Sequence, residues 1–119
     1  MPTPSDIPPP LVRYPSEVRA AYQTFRNSRD EAALRVVILA AVRDFMPRNS
    51  AHSRTDSLRD DERLIEDLGF DSLAVAETVF FFEDLFKVTI KNEDILALHT
   101  VGELCDFVAR RLREQPPTA

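Results

Sequence analysis

The chain has 119 residues, 44% hydrophobic and 29% charged, with a net charge of −5, two glycines and one cysteine. This is the composition of one ordinary folded domain; a lone cysteine excludes an internal disulfide framework, and the longest apolar run, Val36 to Val42, is far too short to cross a bilayer. Charge is uneven: residues 1–54 hold eight arginines against five acids, residues 55–84 ten acids against two arginines, and residues 85–119 five of each, so the middle of the chain repels nucleic acid and attracts basic protein surfaces.

Residues 1–15 contain six of the nine prolines. Proline has no backbone donor and does not continue a helix, so a disordered or extended tail is expected. It is not a basic-then-apolar secretion signal, which makes the cytoplasm the expected location. A helix is expected over residues 16–28, with Val18, Ala21, Tyr22 and Phe25 on one face. A second follows over residues 29–46, opened by a Ser28–Glu31 capping box and stopped by Pro47. It is apolar on two sides, Leu34, Val37, Ile38, Ala41 and Phe45 on one and Val36, Leu39 and Val42 toward another. A helix of that kind has neighbours on several sides, so helix 16–28 is expected to pack on the second through Tyr22 and Phe25.

Residues 47–71 form a long loop, uncommon unless functional, pinned to the core by Leu58, Leu64 and Leu68. The next helix is expected over residues 72–86. A short one follows Asn92 through Leu98, and a last one opens with a Thr100–Glu103 capping box and runs to about Leu112. Residues 115–119 form a second disordered tail.

The loop ends in Leu68-Gly69-Phe70-Asp71-Ser72-Leu73. Ser72 therefore stands at a helix start with Asp71 as a natural cap. A helix N-terminus offers unpaired N–H groups and the positive end of the macrodipole, which suits a phosphate. The chain holds no machinery to make this serine a nucleophile, so Ser72 reads as a residue that is itself modified by a phosphate-linked arm.

Ile65-Glu66-Asp67-Leu68-Gly69-Phe70-Asp71-Ser72-Leu73 resembles the attachment motif of acyl carrier proteins. The similarity runs on through Glu77, Glu83, Phe86 and Ile90 to Thr100-Val101-Gly102-Glu103-Leu104, covering residues from about 29 to 113. The resemblance implies an all-α, acyl-carrier-like four-helix bundle, three main helices plus one short, over residues 29–114, with helix 16–28 as an addition. It implies 4'-phosphopantetheine, moved from coenzyme A onto Ser72 by a phosphopantetheinyl transferase and carrying acyl groups as thioesters on its thiol. Asp71 then both caps the helix and helps the transferase, and Leu73 contacts partners beside the arm or belongs to the core. Glu77, Phe80, Glu83 and Asp84 become the partner face, meeting basic surfaces of the transferase and of acyl-activating, condensing or acyl-transferring enzymes. The protein is expected to be a carrier rather than an enzyme, and a monomer. Ala74 departs from the family, standing where many fatty-acid carriers have an acid. With Phe70 and the N-terminal extension, it leans toward a specialised lipid, polyketide or nonribosomal-peptide pathway. The alternatives are a general fatty-acid carrier and an unmodified carrier-like interaction module; a small serine hydrolase lacks a base.

Phe80, Phe81 and Phe82 cannot share a helix face, because neighbours sit about 100° apart. Phe82 fits the core with Val75, Val79 and Phe86, where an acyl chain could also tuck. Phe80 falls near the partner face and Phe81 toward the extra helix. His52, His99 and Cys105 form no zinc set; Cys105 reads as a small core residue. The acidic pairs and triplets, Glu66-Asp67 and Asp60-Asp61-Glu62, lack EF-hand spacing. Gly-Phe-Asp-Ser-Leu is not a hydrolase nucleophile elbow.

Overall fold

The computed structural model describes residues 9–46 and 58–114. They form a short 3-10 turn, Pro9–Leu11, and five helices: α1 (Ser16–Ser28), α2 (Glu31–Phe45), α3 (Ser72–Phe86), α4 (Asn92–Leu96) and α5 (Val101–Glu114). The fold is all-α, an acyl-carrier-like bundle of three main helices and one short one, with a further helix ahead of them.

The joint between α1 and α2 corrects one expectation. Arg29 turns left-handed, at φ 60 and ψ 31, and donates its N–H back to the Phe25 carbonyl. Only after that reversal does the backbone become extended, so Asp30 is the α2 cap, accepting the Ala32 N–H at 2.9 Å. Ser28 lies inside α1 and donates its hydroxyl to the Thr24 carbonyl at 2.8 Å. The Thr100 box, by contrast, forms as read: Glu103 N–H donates to Thr100 Oγ1 at 3.1 Å, and the Glu103 carboxylate accepts the Thr100 N–H at 3.0 Å.

The core is built from Leu34, Val37, Ile38, Ala41 and Val42 of α2, Val79, Phe82 and Phe86 of α3, and Leu104, Val108 and Leu112 of α5, all buried. α1 packs along α2 and buries Val18, Tyr22 and Phe25. Its aromatics reach further than that: Tyr22 stacks on Phe86 at 6.2 Å, and Phe25 meets the same ring edge-on at 6.1 Å. The tail also differs from expectation over the residues that are described. Leu11 is fully buried, and Tyr14 stacks on Phe81 at 5.7 Å while donating to Asp44 at 3.2 Å. Burial, with the Asp44 carboxylate beside it, pushes the Tyr14 phenol above its ordinary pKa. Apolar Leu11 and aromatic Tyr14 override the proline content by finding core partners. Phe81 thus meets the segment before α1 through Tyr14 and shares a groove wall with Glu17 and Val18 of α1. Residues 1–8, 47–57 and 115–119, where the rest of the tails and the first part of the loop fall, lie outside the described residues.

The remainder of the loop is clamped onto the start of α5. The first N–H groups of a helix have no partner within it. Here Val101 N–H donates to the Glu62 carbonyl at 3.0 Å and Gly102 N–H to the Asp60 carbonyl at 2.9 Å, while Leu64 N–H donates to the His99 carbonyl at 2.8 Å. A side chain at Gly102 would meet Asp60, its Cβ at 3.0 Å, so glycine allows the close approach. Leu58, Leu64, Leu68 and Phe70 are all buried beneath. α4 stops at Leu96, two residues short of the expected end, because Leu98 must bury and His99 must present its carbonyl to the loop.

Candidate functional site

The loop enters α3 through a compact turn. Leu68 N–H donates to the Arg63 carbonyl, Gly69 N–H to that of Ile65 and Phe70 N–H to that of Leu64, at 3.0, 3.2 and 2.9 Å. Gly69 takes φ 80, a left-handed conformation that favours glycine. The turn buries Leu68 and Phe70 and leaves the next two residues, Asp71 and Ser72, exposed.

Asp71 caps α3: its carboxylate accepts the Ala74 N–H at 2.8 Å and its carbonyl the Val75 N–H at 3.0 Å. Among the described residues, the Ser72 and Leu73 N–H groups have no acceptor, and no side chain hydrogen-bonds the Ser72 hydroxyl. The site thus offers a reachable hydroxyl beside two free backbone donors at the positive end of a helix, a setting that fits a phosphodiester. Among the described residues no base is aimed at the hydroxyl.

Leu73, Glu77, Phe80 and Asp84 recur at helical spacing on the outside of α3, so one stripe carries them. Leu73 is 67% exposed and Phe80 59%, which places both in solvent rather than in the core. Glu83 leaves this stripe. It is half-buried, and its carboxylate accepts the Ile90 N–H at 2.7 Å, holding the α3–α4 link. Ile65, 57% exposed in the turn, and Leu96, 79% exposed on α4, are apolar surface residues with no sequence-derived role. Periodicity could not find them, because each stands in a segment too short to have a face.

Much of the acidic charge is locally compensated. Asp60 pairs with Arg35, Asp61 with Arg59, Glu66 and Asp67 with Arg63, and Asp84 with Lys87. The Arg63 backbone N–H, donated at 2.8 Å, and its guanidinium hold the Asp67 carboxyl below the usual range. Glu77 has no cation within ion-pair reach among the described residues, and stands as the uncompensated acid of the α3 stripe.

Beneath the first turns of α3 lies an apolar seam walled by Leu64, Phe70, Val75, Val79, Leu98 and Leu104, whose free space is only about 10 Å³. Phe82 and Phe86, expected to share it, instead pack against each other and toward Phe81, Tyr22 and Phe25. A groove of about 920 Å³ lies elsewhere, between Pro10–Val18 and the end of α2, with Phe45 and Phe81 in its wall. Cys105 is buried, and burial pushes its thiol pKa up, as befits a core residue. His99 sits at the α5 entry against Glu103, remote in sequence from Ser72. No group of His, Cys, Asp and Glu able to hold a metal occurs among the described residues, and none of their helices is long and apolar enough to cross a membrane.

The site is thus an exposed hydroxyl at the start of α3, beside two backbone N–H groups without acceptors among the described residues. The family model described as "Phosphopantetheine attachment site" matches residues 37–108, centred on this junction. The anthracycline acyl carrier protein DauA of Streptomyces sp. (strain C5) is 37% identical over 76 residues, 63% of this chain and 90% of that protein. Its counterpart DpsG of Streptomyces peucetius matches to the same extent. An acyl carrier protein of Sulfurovum sp. (strain NBC37-1) is 38% identical over 53 residues, 44% of this chain and 71% of the relative. No solved structure matches the chain at a significant level. The chain belongs to the phosphopantetheine attachment-site family, the acyl carrier proteins. The family's covalently attached group is 4'-phosphopantetheine, and its members carry rather than catalyse.

Proposed function

We propose that Ser72 Oγ is the attachment point of 4'-phosphopantetheine and that the chain carries acyl groups between partner enzymes. The observation that carries this reading is the exposed Ser72 hydroxyl at the start of α3, beside two backbone N–H groups without acceptors. A phosphopantetheinyl transferase supplies the base that takes the Oγ proton. Oγ attacks the pyrophosphate of coenzyme A, the Oγ–P bond forms, the P–O–P bond breaks and adenosine 3',5'-bisphosphate leaves. When bound, the arm supplies a flexible thiol able to hold acyl groups as thioesters. The chain's own part is to hold Ser72 outward: Asp71 caps the helix, Gly69 turns the loop, and Leu68 and Phe70 anchor it.

In this reading the stripe of Leu73, Glu77, Phe80 and Asp84 is the docking face for basic partner surfaces, and α1 is an addition to a carrier unit spanning residues 29–114. Two relatives named for anthracyclines and the departure at Ala74 support a specialised, polyketide-type pathway over bulk fatty-acid synthesis. A cytoplasmic setting and a monomer belong to the same reading. Incubation with coenzyme A and a broad-specificity transferase should add the mass of one phosphopantetheinyl group. Ser72→Ala should add none. An unmodified wild type would favour the carrier-like interaction module instead.

A further inference from the structure

We propose that the groove between the segment ahead of α1 and the end of α2 is a second docking site. Its occupant is a segment of a partner protein that sets a single carboxylate among large apolar side chains. The groove holds about 920 Å³, within the size range of sites that enclose a bound group. Its walls include Pro10, Val12, Pro15, Ala40, Phe45 and Phe81, and Val12 is 57% exposed to whatever enters. The walls are held in place: Leu11 is fully buried, Tyr14 stacks on Phe81, and Phe45 meets the same ring edge-on at 5.7 Å. An entering segment therefore finds a formed surface and has little of this chain to order.

The polar groups of the groove select its occupant. Arg43, in the last turn of α2, lines it with a buried Nε that has no hydrogen-bond partner among the described residues. A buried donor without an acceptor is unfavourable, and a carboxylate is the acceptor that bonds a guanidinium most strongly. Because Nε is already out of water, binding restores its bond without further desolvation of that atom. Two acids limit how many carboxylates the groove accepts. Asp44 takes the Tyr14 hydroxyl at 3.2 Å, and Glu17 stands in the first turn of α1, while Arg13 is the second guanidinium. A run of acids would meet Asp44 and Glu17 and be repelled, whereas one carboxylate on Arg43 with apolar neighbours on the walls is matched.

Position gives the site its use. The groove meets α3 at Phe81, nine residues past Ser72, which on a helix is half a turn round and roughly 14 Å along the axis. A partner seated there leaves Ser72 and Leu73 uncovered. It is kept at high effective concentration while the start of α3 engages another surface. The site stands apart from Ser72 and does not rest on its modification.

The test selects a random dodecapeptide display library on the full chain, with counter-selection on an Arg43→Gln variant. Surviving peptides are expected to share one Asp or Glu beside large apolar residues. They should shift the amides of Val12, Ala40 and Phe45 rather than those of Ser72 to Glu77. Exchanging that acid for its amide in a selected peptide should weaken binding about tenfold. Val12→Asp, a change at an exposed position of the groove, should weaken it several-fold by like-charge repulsion, and Ser72→Ala should bind unchanged. No peptide surviving counter-selection, an acid exchange without effect, or shifts centred on Ser72 to Glu77 overturns the proposal. So does a dimer of the free chain that buries the same amides, which makes a second copy the occupant. Binding that appears only after residues 1–8 are removed overturns it too, in favour of the chain's own start. Should Arg43→Gln not fold, Val12→Asp takes its place in the counter-selection.

Discussion

Two acids six residues apart on α3 illustrate how the same residue type does different work. Glu77 is exposed and uncompensated, whereas Glu83 is half-buried and fixed to the Ile90 N–H at 2.7 Å. Glu77→Lys should therefore slow phosphopantetheinylation by roughly tenfold at low ionic strength, and by less as salt is added. Glu83→Gln should leave that rate nearly unchanged and instead lower stability by about 1–2 kcal/mol, because the buried donor loses its charged acceptor. Initial rates with one transferase over a salt series, beside urea unfolding of both variants, separate the two. Equal rate losses would return Glu83 to the docking stripe. Gly69, at φ 80, makes a conformational prediction: Gly69→Ala should cost about 1 kcal/mol, read by the same unfolding measurement.

At the scale of elements, α1 is part of the core rather than an appendage. Tyr22 and Phe25 meet the Phe86 ring of α3, and the segment ahead of α1 covers Phe81 with Tyr14. Phe25→Ala should cost about 3–5 kcal/mol, and deleting residues 1–28 should lower the unfolding midpoint; an undiminished midpoint would contradict the packing. The 63–70 turn has its own pH signature. Asp67 titrates below the ordinary carboxylate value in the folded state, held by the Arg63 backbone N–H and guanidinium. Its contribution is therefore complete above the unfolded pKa and disappears as pH falls through the lower folded one. Protection factors of the Gly69 and Phe70 amides, corrected for intrinsic exchange at each pH, should fall on acidification below that range, and constant protection would show the clip is not used. Helices and caps were legible wherever a local signal sufficed, as with the Thr100–Glu103 box and the Ser72 start. The Ser28 box was misread because whether Ser28 or Asp30 caps α2 depends on Arg29 adopting φ 60, which composition does not reveal. Burial of Leu11 was hidden by the surrounding prolines, since its partners lie in distant elements.

For the molecule as a whole, the excess of acid over residues 55–84 overstates the free negative charge, because ion pairs with Arg35, Arg59, Arg63 and Lys87 depend on folding. What remains is a bundle whose loop is clamped on α5 and whose α3 start presents the Ser72 hydroxyl outward. The shape of the site was readable from Asp71-Ser72 at a loop-to-helix junction; the burial of Phe70 behind it was not, because it depends on partners such as Leu98 from elsewhere in the chain. The most direct measurement is fragmentation of the protein after treatment with coenzyme A and transferase, locating the added group along the chain. The account predicts a single phosphopantetheinyl group on Ser72, and none on Ser72→Ala. Its appearance on any other residue, or its retention in that variant, would contradict the account.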